Sequence, residues 1–385
     1  MTTLSATSNK EFWFGVLNLV GTVIGAGIFA IPSLMVSFGV VYATLIFVGV
    51  SLFMLLTGLL LGEVCLRTTD TIGFLGFIKK YIPQDKRWAN SVVMLNFIGA
   101  CIAYTYLAAH FLQGLFGVTN AHALSTLAYT ILVVFVSFKG YQLIKKSDFF
   151  LTIGLLLVLI ALAFKFFTDA SFDIAPLVST NPPNFIIAFG VFVFALSGIS
   201  AIPPIEASLR AHEKNKLTKI IVVGSLLASV LTLLFSFAVI SYIGPTVSDD
   251  VVSSLVFMNS RGILVLFSLF GLLAVITSHV MMVAQLTTIF STDLKMQRTT
   301  MYGVIYGLPL VVVVSNIVNL TSFLHYLGVL LGGLVGIIVG RLVLAIHTQG
   351  PHDHGVCVPY ARQLSYIVII GYLFAMIYEV FRLFA

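Results

Sequence analysis

Charge is what this sequence has least of. Asp, Glu, Lys and Arg together make up 9% of its 385 residues, where a soluble domain carries roughly a quarter. So few charges cannot clothe a surface that faces water on every side, which excludes a soluble globular protein. Cysteine is scarce as well. Cys65, Cys101 and Cys357 have no paired spacing, which excludes a disulfide framework and a cysteine-rich zinc site. No polar stretch is long enough for a separate soluble domain, so residues 1–385 read as one integral membrane domain. The net charge of +6 is scattered over short loops and offers nucleic acid no basic patch. HExxH, Gly-x-Ser-x-Gly and paired-aspartate motifs are all missing, so nothing points to an enzyme. No cofactor and no obligatory protein partner is implied.

What is present is apolar: 59% of the chain, with a mean hydropathy of +1.10. A helix needs about 20 apolar residues to cross a bilayer. That length yields eleven segments, near 12–38, 40–66, 88–116, 122–138, 148–168, 184–210, 217–243, 262–291, 299–315, 322–346 and 363–384. The apolar run from Phe12 is too long for a signal-peptide core, so the first segment is retained. The polar stretch 244–261 is the longest loop and has room for a short surface helix. Orientation follows from the basic residues. With the N-terminus in the cytoplasm, 17 of 20 Lys and Arg lie inside, and Lys165, Arg261 and Arg382 remain outside.

One short motif occurs twice. Residues 27–32 read GIFAIP and residues 198–203 read GISAIP, five identities in six across 171 positions. The first copy lies in segment 1 and the second in segment 6. Five segments apart is an odd offset, so the two helices run in opposite directions. Segments 1–5 (about 12–168) and 6–10 (about 184–346) then form an inverted 5+5 repeat, with 363–384 added. Interrupted helices at corresponding places in inverted repeats point to a transporter's binding site; the plainer alternative is a pair of packing kinks.

The local chemistry favours a break. Gly25, Ala26 and Gly27, and Ser197 and Gly198, hold helical backbone weakly. Pro32, Pro203 and Pro204 suit the first turn of a restarting helix. An unwound stretch leaves N–H groups suited to a carboxylate and C=O groups suited to an ammonium or small cation. A zwitterionic amino acid supplies both charges. Lys, Arg, Asp and Glu are missing at both breaks, which favours a neutral side chain.

NLVGTVIGAGIFAIP (18–32), LLLGEV (59–64) and FALSGISAIPPIEASLR (194–210) resemble the amino acid–polyamine–organocation transporter superfamily. The resemblance is strongest to the hydroxy/aromatic amino acid permease branch of the amino acid/auxin permeases, whose bacterial members typically have eleven helices. It implies an all-α leucine-transporter-like fold with discontinuous helices 1 and 6, in a bacterial cytoplasmic membrane. It also implies a secondary active importer of a neutral amino acid, aromatic or hydroxylated, with sodium or protons as the coupling ion. A channel or an amino-acid-sensing receptor on the same scaffold is the alternative.

By the same resemblance Ala26, Gly27 and Ile28 surround the substrate carboxylate. Phe194, Ala195 and Ser197 surround its ammonium and side chain. Tyr104 closes the carboxylate side, with Tyr106 the alternative. Ala274, Thr277 and Ser278 share one helix face; with the Gly21 and Ile24 carbonyls they match the second sodium site of the sodium-coupled relatives. Thr-Ser pairs also occur there in proton-coupled members, and such a pair can simply bond its own helix.

Ionisable residues inside spans are functional candidates. Glu63 precedes Arg67, and Glu206 precedes Arg210, by the four residues of a helical ion pair. Each pair reads either as an interfacial snorkelling pair or as an inner gate, with Glu206 a candidate proton carrier. His279, beside the Thr-Ser pair, is a core histidine or a proton site. Glu379 reads as an interfacial residue of the last helix. His352, Asp353 and His354 read as a solvated turn.

Overall fold

The computed structural model describes residues 2–68, 73–118, 121–170, 185–209, 214, 216–258, 260–348 and 358–384. Arg210, Cys357 and the 352–354 cluster lie outside the described residues. Among them all regular structure is helical, the form in which a chain in lipid satisfies its backbone within one segment. The helices are α1 (Thr2–Val23), α2 (Ile31–Phe38), α3 (Val40–Leu66), α4 (Phe74–Tyr81), α5 (Lys86–Phe116), α6 (His122–Phe135) and α7 (Tyr141–Thr168). Then follow α8 (Phe185–Ala195), α9 (Ile202–Ser208), α10 (Leu217–Ile243), α11 (Val252–Phe257) and α12 (Arg261–Thr288). The last are α13 (Arg298–Tyr302), α14 (Leu308–Val314), α15 (Leu320–Tyr326), α16 (Gly333–Thr348) and α17 (Ala361–Phe384).

Among the described residues seven helices are long and apolar enough to cross a membrane, or eight with the bent pair Glu11–Val23 and Ala26–Phe38 taken as one span. Shorter apolar helices occupy His122–Phe138, Thr152–Thr168 and Arg298–Val314. Four π-turns, at 136–140, 289–293, 303–307 and 327–332, continue helices that periodicity alone reads as regular. The polar loop after α10 does hold a short helix, α11. It buries Val252, Ser254 and Leu255 and leaves Phe257 exposed, and Asp250 Oδ1 accepts from Ser253 N at 3.0 Å.

Burial orders the bundle. The most apolar window of 83–116 is 78% buried, that of 361–384 only 22%. α5 is therefore the axis, packed along α12, while α17 lies at the edge against α16 and α3. α3 follows α2 after a single residue, Gly39, at φ 82°; a side chain there would be strained. α8 meets the π-turn 327–332 backbone to backbone, because a Cβ on Gly328 would fall on the carbonyl of Gly190. Small residues permit such close approach in membranes, where association rests on packing.

On α17 the structure adds what periodicity does not show: Glu379 is buried against the protein. It accepts from Arg382 at 2.8 Å and lies 3.0 Å from His325 Nε2 of α15. The periphery of a helix is an average over its faces, and Glu379 shares its inner face with Tyr372.

Gly328→Ala places a methyl group against backbone that cannot rotate away. It should cost about 1–3 kcal/mol, read as a lower thermal-unfolding midpoint in detergent; an unchanged midpoint would mean that α8 and α15 separate freely.

Candidate functional site

The two hexamers fold alike, position by position. In the first, α1 stops at Val23, Ala26–Phe29 form a 3-10 turn, and α2 restarts at Ile31 with Pro32 in its first turn. In the second, α8 stops at Ala195, Ile199–Ala201 form a 3-10 turn, and α9 restarts at Ile202 with Pro203 in its first turn. The first break bends the chain by 52°; the second interrupts the helix but leaves it passing as one span.

The broken helices cross antiparallel. α1 abuts the second turn and α9, and α8 abuts the first turn and α2. At the crossing, a Cβ on Gly27 would collide with Ala195, and one on Gly198 would meet Leu19 and Val23. Each stop leaves last-turn carbonyls, and each restart leaves first-turn amides, without intrahelical partners. Four sets of orphan backbone groups are thereby gathered at one depth.

A cavity of about 70 Å³ opens there, lined by Gly25, Ala26, Gly27, Phe194, Ala195, Ser197 and Tyr104. No residue that lines it is charged. Six of the seven sequence-predicted substrate residues are thus together. Ile28 is not among them: it is buried in the core. The two candidate tyrosines are placed differently. Tyr104 lines the cavity, while Tyr106 stacks near His110, ring centroids 4.5 Å apart. The cavity also takes in residues the sequence reading missed: Thr22, Asn96, Phe97, Ser200, Met282, Gln285 and Gly328. For Asn96 and Gln285 a signal was available, since each is a carboxamide inside an otherwise apolar run.

Beside it lies a second cavity of about 200 Å³, sharing Thr22, Tyr104, Ser200, Met282 and Gln285 with the first. Of the predicted cation residues, Gly21, Thr277 and Ser278 line it; Ile24 and Ala274 are buried close by. Thr277 Oγ1 donates to the carbonyls of Leu273 and Ala274, both at 3.1 Å. Ser278 Oγ donates to Ala274 O at 3.1 Å. Both hydroxyls therefore spend their proton on their own helix and keep lone pairs for a ligand. Thr152 of α7, which nothing in the sequence singled out, packs directly against Gly21.

His279 faces away from this cavity. It is buried, with Nδ1 3.1 Å from the Tyr129 hydroxyl and its ring 5.7 Å from that of Tyr104.

The two ends of the bundle differ. Lining residues on α5 run from Tyr104 back through Val93, toward the end that begins at Lys86 and Arg87. Phe74, five residues before Lys79 and Lys80, also lines the cavity. On the opposite side Phe29 sits edge-on among Phe111, Phe235, Phe267 and Phe270, with centroids 4.8–6.0 Å away. All five rings are fully buried. The cavity lining therefore extends toward the basic end, and packed aromatic rings lie on the opposite side.

Ion pairs cluster at that end. Arg67 donates to Glu63 at 2.5 Å across one helical turn, as the spacing predicts. Among the described residues Glu206 lies 2.8 Å from Lys214 Nζ; Arg210, its expected helical partner, lies outside them. Arg341 meets Asp85 at 2.5 Å.

Residues 8–379 match the model of the tryptophan/tyrosine permease family. The chain belongs to that family. It is accordingly a multi-pass membrane transporter of the amino acid transporter superfamily. A relative in this permease's size range is glutamine transporter 2 of Aliivibrio fischeri (strain ATCC 700601 / ES114), 23% identical over 339 residues, covering 84% of this chain and 86% of the relative. Among solved structures the permease fold resembles Mhp1, a nucleobase-cation-symport-1 family transporter, in a closed conformation with bromovinylhydantoin bound. That match has a TM-score of 0.67 at 15% identity and covers 95% of this chain and 92% of Mhp1. The inward-facing conformation of Mhp1 matches with a TM-score of 0.63 at 16% identity, covering 96% and 90%.

Phe29→Ala removes the ring at the centre of the sealed end. The permease should lose about 3–5 kcal/mol of stability, seen as a markedly lower unfolding midpoint; a change as small as that of a surface substitution would show that the seal is loosely packed.

Proposed function

We propose that this permease imports a neutral amino acid by alternating access, driven by a sodium or proton gradient. The observation that carries the proposal is the antiparallel crossing of two broken helices at an uncharged cavity beside Tyr104. Backbone amides at 26–28 receive the carboxylate, helped by the Tyr104 hydroxyl. Carbonyls at the end of α8, around Phe194 and Ala195, receive the ammonium. The names of the family and of the glutamine transporter both denote neutral amino acids, which an uncharged lining suits.

On this reading the eleven apolar segments form two inverted halves, 12–168 and 184–346, with 363–384 added. The N-terminus is cytoplasmic, so the basic end faces the cytoplasm of a bacterial inner membrane and the structure is inward-facing. Helices 1, 2, 6 and 7 rock against helices 3, 4, 8 and 9. The Phe29 cluster closes the outer path in this state; a cavity open at one end and packed at the other suits a carrier better than a channel. Glu63–Arg67 and Glu206–Lys214 stand at the inner mouth as gate pairs.

The coupling ion is assigned to the second cavity. Hard cations take oxygen ligands, and the Gly21 carbonyl with the Thr277 and Ser278 hydroxyls supplies neutral oxygens suited to a monovalent ion. Ile24 and Ala274 carbonyls complete the set. Should protons drive transport instead, Glu206 and His279 are the candidate carriers.

Purified protein in liposomes, given labelled tryptophan, tyrosine, glutamine, serine and leucine, should accumulate at least one of them under a sodium or pH gradient. No gradient-dependent accumulation of any amino acid would overturn the reading. Converting Thr277 and Ser278 together to Ala should remove sodium stimulation; persistence would refute the cation assignment. Gly27→Leu should abolish uptake by filling the carboxylate position and wedging α8 away, and normal uptake would mean the break holds no substrate.

A further inference from the structure

Asn96 and Gln285 are the two carboxamides that line the cavity between the broken helices. They project from different helices, α5 and α12, which pack against one another. Each is partly exposed to the cavity, and among the described residues neither is hydrogen-bonded to the protein. A carboxamide carries two N–H donors and an acceptor oxygen. Held within an apolar span, a polar side chain of this kind faces a cavity or a ligand.

Their placement relative to the break is regular. Asn96, Ala100 and Tyr104 recur every four residues on one face of α5, and all three line the cavity. Asn96 stands two turns from Tyr104, about 12 Å along the axis. The small Ala100 between them leaves a groove. On α12, Ser278, Met282 and Gln285 form the matching stripe, and Gln285 borders both cavities. A substrate anchored by its carboxylate beside Tyr104 therefore extends its side chain over Ala100, between the two stripes, toward two amides.

We propose that Asn96 and Gln285 determine specificity by hydrogen-bonding the substrate side chain. The substrate class is neutral amino acids whose side chains carry a carboxamide, a hydroxyl or an indole N–H, in preference to aliphatic or phenyl side chains of similar size. This rests on the transporter reading above. Both amides serve as donor and acceptor, so they accept any of these groups and discriminate against side chains that leave them unpaired.

The test uses the full-length protein in liposomes and pairs of unlabelled competitors: tyrosine against phenylalanine, and glutamine against methionine. Wild type should prefer the hydrogen-bonding member of each pair by about tenfold, the effect of one unpaired buried polar group. In Asn96→Leu and Gln285→Leu, the preference should fall to within about threefold of unity through KM more than kcat. Gln285→Glu should admit lysine, which the wild type excludes, because it places one carboxylate in an uncharged cavity. Wild-type ratios near unity, ratios unchanged in both leucine variants, or equal loss of every substrate in folded variants would overturn the proposal. Should the leucine variants fail to fold, continued exclusion of lysine by Gln285→Glu overturns it. A wild type that takes up no amino acid at all instead removes the transporter reading.

Discussion

Everything in this structure depends on the cost of an unpaired backbone group in lipid. Without water, each free N–H or C=O is worth several kcal/mol of destabilisation, so a span stays helical unless something else meets those groups. Here two spans give up their helical bonds at the same depth, and each supplies the other's surroundings. The 3-10 turns at 26–29 and 199–201 recover part of the bonding, with Ala30 N donating to Gly27 O at 3.3 Å and Ala201 N to Gly198 O at 3.1 Å. The groups left over border a small cavity whose lining carries no charge.

Close packing makes that arrangement specific. Gly27 against Ala195, and Gly198 against Leu19, bring the breaks together only because there is no side chain in the way. Around them the long unbroken helices are stiff. α5 and α12 hold Tyr104, Thr277 and Ser278 at one level, and the Phe29 cluster ties the first break to α5, α10 and α12 on one side only. The asymmetry between a packed end and an accessible end follows from where large rings and small residues fall along the same helices.

Much of this was legible locally. The hexamer repeat, the prolines that restart each helix and the Glu63–Arg67 turn are short-range features, and short-range geometry in helices is regular. Tyr104 and Tyr106 differ by two residues, so they lie on different faces of α5, and only the neighbours of that helix say which face meets the cavity. The Ile28 side chain likewise goes to the core from the 3-10 turn, which only its neighbours reveal. Glu206 meets Lys214, eight residues on and past the end of α9, a contact that helical spacing does not indicate. Glu379 is buried because a peripheral helix still has an inner face, and that face meets His325 from a segment far away in sequence.

The sequence by itself determined that the chain lives in a membrane and that two of its apolar helices are interrupted at the same motif. Those properties depend on composition, length and spacing, which are local. Only the tertiary structure decided that the two breaks face each other, that Asn96, Gln285 and Thr152 belong to the cavities they enclose, and which end of the bundle is closed. These depend on which helix faces meet across hundreds of residues, and an almost uniformly apolar sequence writes no distinction between its lipid-facing and protein-facing sides.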